Sequence, residues 1–124
     1  MRWFLLLALL LACRVVHAED YRPTYEQYKA LCAKGKYQEA LPLAEQALRL
    51  SEKEFGEAHE NTAVLLANLG LIYERLGDYE KAAQLLRRSV DIELRLYGKD
   101  SPKVARAFED LGLVYESLGD HGIA

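Results

Sequence analysis

The stretch LANLGLIYERLGDYEKA, residues 66–82, returns 42 positions later as FEDLGLVYESLGDHGIA, residues 108–124. Around the first copy, Leu65, Leu66, Leu69, Ile72, Tyr73 and Leu76 recur at spacings of three and four. That spacing predicts a helix with one face turned to a core. Gly77 follows the last of them, and glycine accepts the left-handed backbone that commonly closes a helix. Asp78 is a natural cap for a second helix. The stripe of that helix is Tyr79, Ala82, Ala83, Leu86, Val90, Leu94 and Tyr97, and Gly98 stops it. Ser101-Pro102 opens the next one, with serine as cap and proline where its missing N–H costs nothing.

The same order of residues runs through the chain. Gly35, Gly77 and Gly119 align at a period of 42, as do Leu31, Tyr73 and Tyr115. Phe55-Gly56 matches Tyr97-Gly98, and Leu69-Gly70 matches Leu111-Gly112. The pattern predicts helices near 24–34, 37–54, 62–76, 79–97 and 102–118. Gly70 and Gly112 fall inside helices, where glycine costs ~1 kcal/mol relative to alanine. A position without a side chain repays that cost when a neighbouring helix presses on it. The alanines at 40, 44, 47, 82 and 83 supply the matching small surface on the second helices. No helix buries its stripe alone, so the pairs stack and share a core.

NLGLIYERLGDYEKAAQLLRRSV, residues 68–90, resembles a tetratricopeptide repeat. Leu69-Gly70, Tyr73, Gly77-Asp78-Tyr79, Ala82, Leu86 and Ser89 occupy its signature places. The 42-residue period resembles the long variant found in kinesin light chains and in many bacterial repeat proteins. The resemblance implies an all-α, right-handed superhelical solenoid of antiparallel helix pairs, about two and a half repeats long. The repeats fall at about 24–56, 62–98 and, incomplete, 102–124 within a domain of 19–124. The first repeat departs from the others: Tyr28 stands where they have glycine, and Lys34 where they have leucine. An outermost helix that meets solvent would accommodate both changes. Thr24 and Gln27 are spaced as a capping box at its start.

The first eighteen residues, MRWFLLLALLLACRVVHA, are of another kind. One arginine precedes an apolar run, and Val16 and Ala18 fit a signal-peptidase site. The run is shorter than the ~20 residues that a membrane span needs. A cleaved secretory signal is therefore expected at 1–18, with an exported mature chain, periplasmic in a bacterium and otherwise secreted. LLAC at 10–13 also resembles a lipoprotein box on Cys13, but it would leave an unusually short signal. Removing 1–18 leaves 14 basic and 19 acidic residues, a net charge of −5, and one cysteine, Cys32. That excludes an intramolecular disulfide framework and gives no basic surface for nucleic acid. Cys32 aligns with Glu74 and Glu116, which predicts partial exposure.

Motifs for chemistry are missing. No histidine has a second ligand at metal spacing, and there is no phosphate loop or nucleophile elbow. The expectation is a non-catalytic scaffold without cofactor or metal. The resemblance implies a concave face lined by the first helix of each pair, where a protein or peptide segment docks. By position it carries Tyr25, Lys29, Asn68, Leu71, Arg75, Arg106 and Asp110. Asn68 offers both donor and acceptor to a ligand backbone, or it is a solvated helix residue. Its equivalents are Glu26 and Asp110. After Gly119 the pattern breaks off, which leaves the last helix with an open apolar edge for a partner or a second copy. The other reading is an N-terminal arm of a longer repeat protein or secreted enzyme. N-terminal sequencing of the protein from its native source is expected to begin Glu19-Asp20-Tyr21; a start at Met1 would sink the signal-peptide reading.

Overall fold

The computed structural model describes residues 20–120, and the signal expected at 1–18 lies outside them. Among the described residues the elements are five helices: α1 (Arg22–Ala33), α2 (Tyr37–Phe55), α3 (Glu60–Arg75), α4 (Tyr79–Tyr97) and α5 (Pro102–Asp120). Each packs on the next in sequence. The architecture is an all-α helical repeat solenoid, as the periodicity predicts.

The helix ends follow from local chemistry. Gly77 sits at φ 87°, and Gly35, one period earlier, at φ 72°. These left-handed residues let the chain reverse at once, so that the Asp78 N–H reaches the Tyr73 carbonyl at 2.9 Å. The equivalent Lys36 N–H reaches the Leu31 carbonyl, also at 2.9 Å. The Asp78 side chain then accepts the Lys81 N–H at 3.2 Å and caps α4. His59 caps α3 through Nδ1, which accepts the Asn61 N–H at 3.0 Å. Ser101 Oγ accepts the Lys103 N–H at 3.2 Å ahead of α5.

The start of α1 differs from the expected capping box. The helix begins at Arg22, with Pro23 in its first turn and no side-chain cap. Thr24 is therefore already helical. Proline is favourable in a first turn, and the Asp20 carboxylate ahead of the helix accepts the Arg22 N–H at 3.1 Å.

Two buried clusters make one continuous core. The first joins Tyr28 of α1, Ala40, Ala44, Ala47 and Leu48 of α2, and Leu65, Leu66, Leu69 and Ile72 of α3. The second joins Ala82, Ala83, Leu86 and Val90 of α4 to Leu111 and Val114 of α5. Between them α3 and α4 come close at Gly70. A Cβ added there would stand 2.9 Å from Leu86 Cγ and 3.3 Å from the Ala82 carbonyl oxygen. The small-residue contact expected from the sequence is thus formed at Gly70, but not at Gly112. Nothing lies within 4 Å of a Cβ placed on Gly112, because no described helix covers that side of α5.

Tyr28 overturns the solvent explanation of the first repeat. It is 1% exposed and belongs to the core. Its ring fills the volume that a glycine would leave empty, and its hydroxyl accepts a hydrogen bond from Asn68 Nδ2 at 2.9 Å. The last helix, whose stripe in the sequence is Leu111, Val114, Tyr115 and Leu118, is open over only part of that stripe. Leu111 and Val114 are buried and Leu118 is half-buried. Phe108, Leu113 and Tyr115 are the exposed members, at 50%, 53% and 46%.

The two helical glycines should respond in opposite ways to alanine. Gly70→Ala forces Leu86 or the α4 backbone to move and should cost about 1–3 kcal/mol. Gly112→Ala meets open space, gains helix propensity and should stabilise by ~0.5–1 kcal/mol. Urea unfolding followed by circular dichroism reads both signs.

Candidate partner-binding face

The first helix of each pair contributes to one face of the solenoid, and that face carries two adjoining pockets. The pocket between α1 and α3 has a volume of about 280 Å³. Tyr28, Lys29 and Cys32 of α1, Asn68, Leu71, Ile72, Glu74 and Arg75 of α3, and Tyr37 of α2 line it. The pocket between α3 and α5, of about 320 Å³, has Val64, Ala67, Asn68 and Leu71 on one side and Lys103, Arg106, Ala107 and Asp110 on the other. Glu60 and Ala63 of α3 and Ser89 and Glu93 of α4 complete it. Asn68 and Leu71 stand in both walls, so α3 is the ridge of the face.

The 42-residue spacing brings these residues together. The turns at Gly35 and Gly77 reverse the chain between the helices of a pair, which stacks α1, α3 and α5 in the same sense. Of the residues expected from sequence, Lys29, Asn68, Leu71 and Arg75 meet in the first pocket. Asn68, Leu71, Arg106 and Asp110 meet in the second. Tyr25 lines neither. It packs edge-on against Tyr21 at 6.3 Å and Tyr28 at 5.3 Å between ring centroids. Its ring also carries the Lys29 ammonium 5.1 Å from its centroid, so it supports the pocket from outside.

Asn68 is neither free nor simply solvated. Its amide nitrogen is committed to the Tyr28 hydroxyl, which leaves the amide oxygen as an acceptor. The Tyr28 hydroxyl is held well above its ordinary pKa, chiefly by burial, with the Asn68 bond opposing. It therefore stays protonated and keeps a donor at the pocket floor. Tyr73 is fixed behind the face by a 2.7 Å bond from its hydroxyl to Glu45 Oε1, which with burial pushes it up to about 12. Cys32 is partly buried, as expected, and burial pushes its thiol up.

The two pockets differ in charge. The first has Lys29 and Arg75 against Glu74. The second has Glu60, Glu93 and Asp110 against Lys103 and Arg106. The Asp110 carboxyl is raised by burial and by Glu109, with Arg106 opposing. Glu60 is lowered by its bonds to Lys103 and Tyr97. Sequence reading missed Tyr28 and Glu93 as parts of this face. For both, the available signal was a break in the repeat: tyrosine for glycine at 28, and glutamate for serine at 93.

The repeat signature extends across most of these walls. The tetratricopeptide repeat model matches residues 29–94. The chain belongs to the tetratricopeptide repeat family. Such repeats generally mediate protein–protein interaction, and theirs is a scaffold-type fold. Among solved structures, the chain is similar to BtubC (BKLC) from P. vanneervenii, with 26% identity and a TM-score of 0.69 over 73% of this chain and 36% of that one. It is also similar to the nearly identical TPR-like repeats of a P. anserina protein described as a kinesin light chain. That likeness has 23% identity and a TM-score of 0.70, over 80% of this chain and 47% of the other. The tetratricopeptide repeats here thus span between a third and a half of the solved chains they match. None of the curated proteins matches the chain.

No helix among the described residues is long and apolar enough to cross a membrane. No group of three or more histidine, cysteine, aspartate or glutamate residues among them is placed to hold a metal ion.

Proposed function

We propose that this chain is an exported, non-catalytic scaffold that docks an extended segment of a protein partner along the concave face of its repeats. The observation that carries this reading is the pair of adjoining pockets sharing Asn68 and Leu71. A segment lying across α3 would meet apolar surface from Leu71 at its centre and polar groups at either end. The Asn68 oxygen is available to a backbone N–H, and the Tyr28 hydroxyl to a backbone carbonyl. Lys29 and Arg75 suit an acidic group in the α1–α3 pocket. Export rests on the signal-like sequence of residues 1–18.

The test is a random peptide display selection against the mature protein, followed by affinity measurement on the selected sequences. Asn68→Ala and Arg75→Glu should each weaken binding about tenfold or more, with the helical circular dichroism spectrum unchanged. Selected peptides that bind both variants as tightly as the parent would overturn the groove assignment.

A second reading is favoured by the open side of α5, where Phe108, Leu113 and Tyr115 are exposed and a Cβ on Gly112 would meet nothing among the described residues. The equivalent side of α3, at Gly70, is covered by α4. A second copy of the chain would cover the exposed side of α5 and bury this edge. Sedimentation should then show a concentration-dependent dimer that Phe108→Glu abolishes. A protein that stays monomeric at high concentration would remove this reading and leave the groove assignment standing.

A further inference from the structure

The repeat contains a mismatch at its second junction. At the first, Ser51 and Thr62 are fully buried, and their hydroxyl oxygens lie 3.0 Å apart. Thr62 donates its own proton to the Gly56 carbonyl at 2.9 Å, so Ser51 is the donor to Thr62. Both hydroxyls are satisfied. One period later, Glu93 replaces the serine and Val104 the threonine. Valine offers no hydrogen bond. Glu93 is 8% exposed, and its Oε2 is sealed without a hydrogen-bond partner among the described residues.

A buried carboxylate without a partner is costly to ionise. Burial accordingly raises the Glu93 pKa, Lys103 lowers it and Glu60 raises it. Lys103 does not come to its aid as a partner. Its ammonium donates to Glu60 Oε1 and lies over the Tyr97 ring, 4.5 Å from the centroid. Glu93 stands instead in the wall of the α3–α5 pocket. Val64, Ala67, Leu71 and Ala107 give that pocket its apolar lining, and Asp110 adds a second carboxylate, which Arg106 of the same wall faces.

We propose that the α3–α5 pocket receives a basic side chain, lysine or arginine, of a docked segment, with Glu93 as the anchor for its charged head. The apolar lining fits the methylene stem, and the Glu93 carboxylate fits the cation at its end. The ammonium or guanidinium supplies a donor to the carboxylate that has none among the described residues. An ion pair at a buried carboxylate is also charge-assisted and strong. This proposal rests on the groove reading for its biological setting, but the pocket chemistry stands by itself.

The test titrates the full mature chain with three short peptides, Ac-Ala-Ala-Lys-Ala-Ala-NH2 and its glutamine and glutamate counterparts, and follows the side-chain carboxyl resonance of Glu93 by NMR. The lysine peptide should shift that resonance saturably and bind about tenfold tighter than the glutamine peptide. The glutamate peptide should bind weakest. Glu93→Gln should erase the preference for lysine. Glu93→Ser, which restores the residue of the first junction, should erase it too while raising the melting temperature. Glu80→Gln, at the exposed start of α4 and outside both pockets, should leave the preference intact. If the groove reading fails through Asn68→Ala and Arg75→Glu but the lysine preference survives, the pocket assignment holds. Equal binding of the three peptides, no saturable shift, or an unchanged lysine preference in Glu93→Gln would overturn it.

Discussion

The approach of α4 to α3 at Gly70 is the contact on which the rest of the structure depends. It sets the depth at which Leu86 enters and the line along which Ala82 and Ala83 are buried. Those residues then meet Leu111 and Val114 of α5. The same helix α3 meets α2 through Ala63, Leu65, Leu66, Leu69 and Ile72 on the way to α1. One unbranched position in the middle of the chain thus fixes the spacing of both neighbouring pairs. In a solenoid each element touches only its neighbours, so a small error there would propagate to the pockets on either side.

The two junctions between repeats are alike in backbone and unlike in chemistry. The left-handed glycines recur with the period, and so does the 19-residue length of the second helices. The polar groups do not. The first junction closes with a fully satisfied pair, Ser51 and Thr62, and the second leaves Glu93 without a partner on one oxygen. Ser89 shows the ordinary solution at the same level of the core: its hydroxyl is buried and donates to the Ala63 carbonyl at 2.8 Å. A fold that satisfies its buried hydroxyls with this economy has no packing reason to retain an unsatisfied carboxylate beside them. Proteins tend to keep such local costs where they bind something, and this one borders a pocket.

Surface charges follow the same division. Arg88 bridges α4 to Glu52 of α2 at 3.1 Å, and Lys103 bridges α5 to Glu60 of α3. Both join equivalent helices of successive pairs, and both are solvent-exposed contacts worth little to stability. The Lys103 bridge matters more for where it keeps the ammonium. By holding it on Glu60 and Tyr97, it leaves the Glu93 carboxylate to another cation.

The sequence alone determined the helices, their order and their turns, because these follow from short-range rules: apolar residues every three or four positions, glycine after the last turn, and Asp78, His59 or Ser101 before the first. The resemblance to the tetratricopeptide repeat implied that first helices would share a face, and with it that Lys29, Asn68, Leu71, Arg75, Arg106 and Asp110 would lie near one another. Only the tertiary structure decided what those residues touch. Tyr28 reads as a tolerated surface change until α3 is placed beside it and Asn68 donates to its hydroxyl. Glu93 reads as one more acid on an amphipathic helix until Val104 is found opposite. Gly70 and Gly112 are identical in sequence context, and only the presence of α4 over one and no described helix over the other separates them. Burial and hydrogen bonding depend on which groups the fold brings across from distant positions, and no local pattern records that.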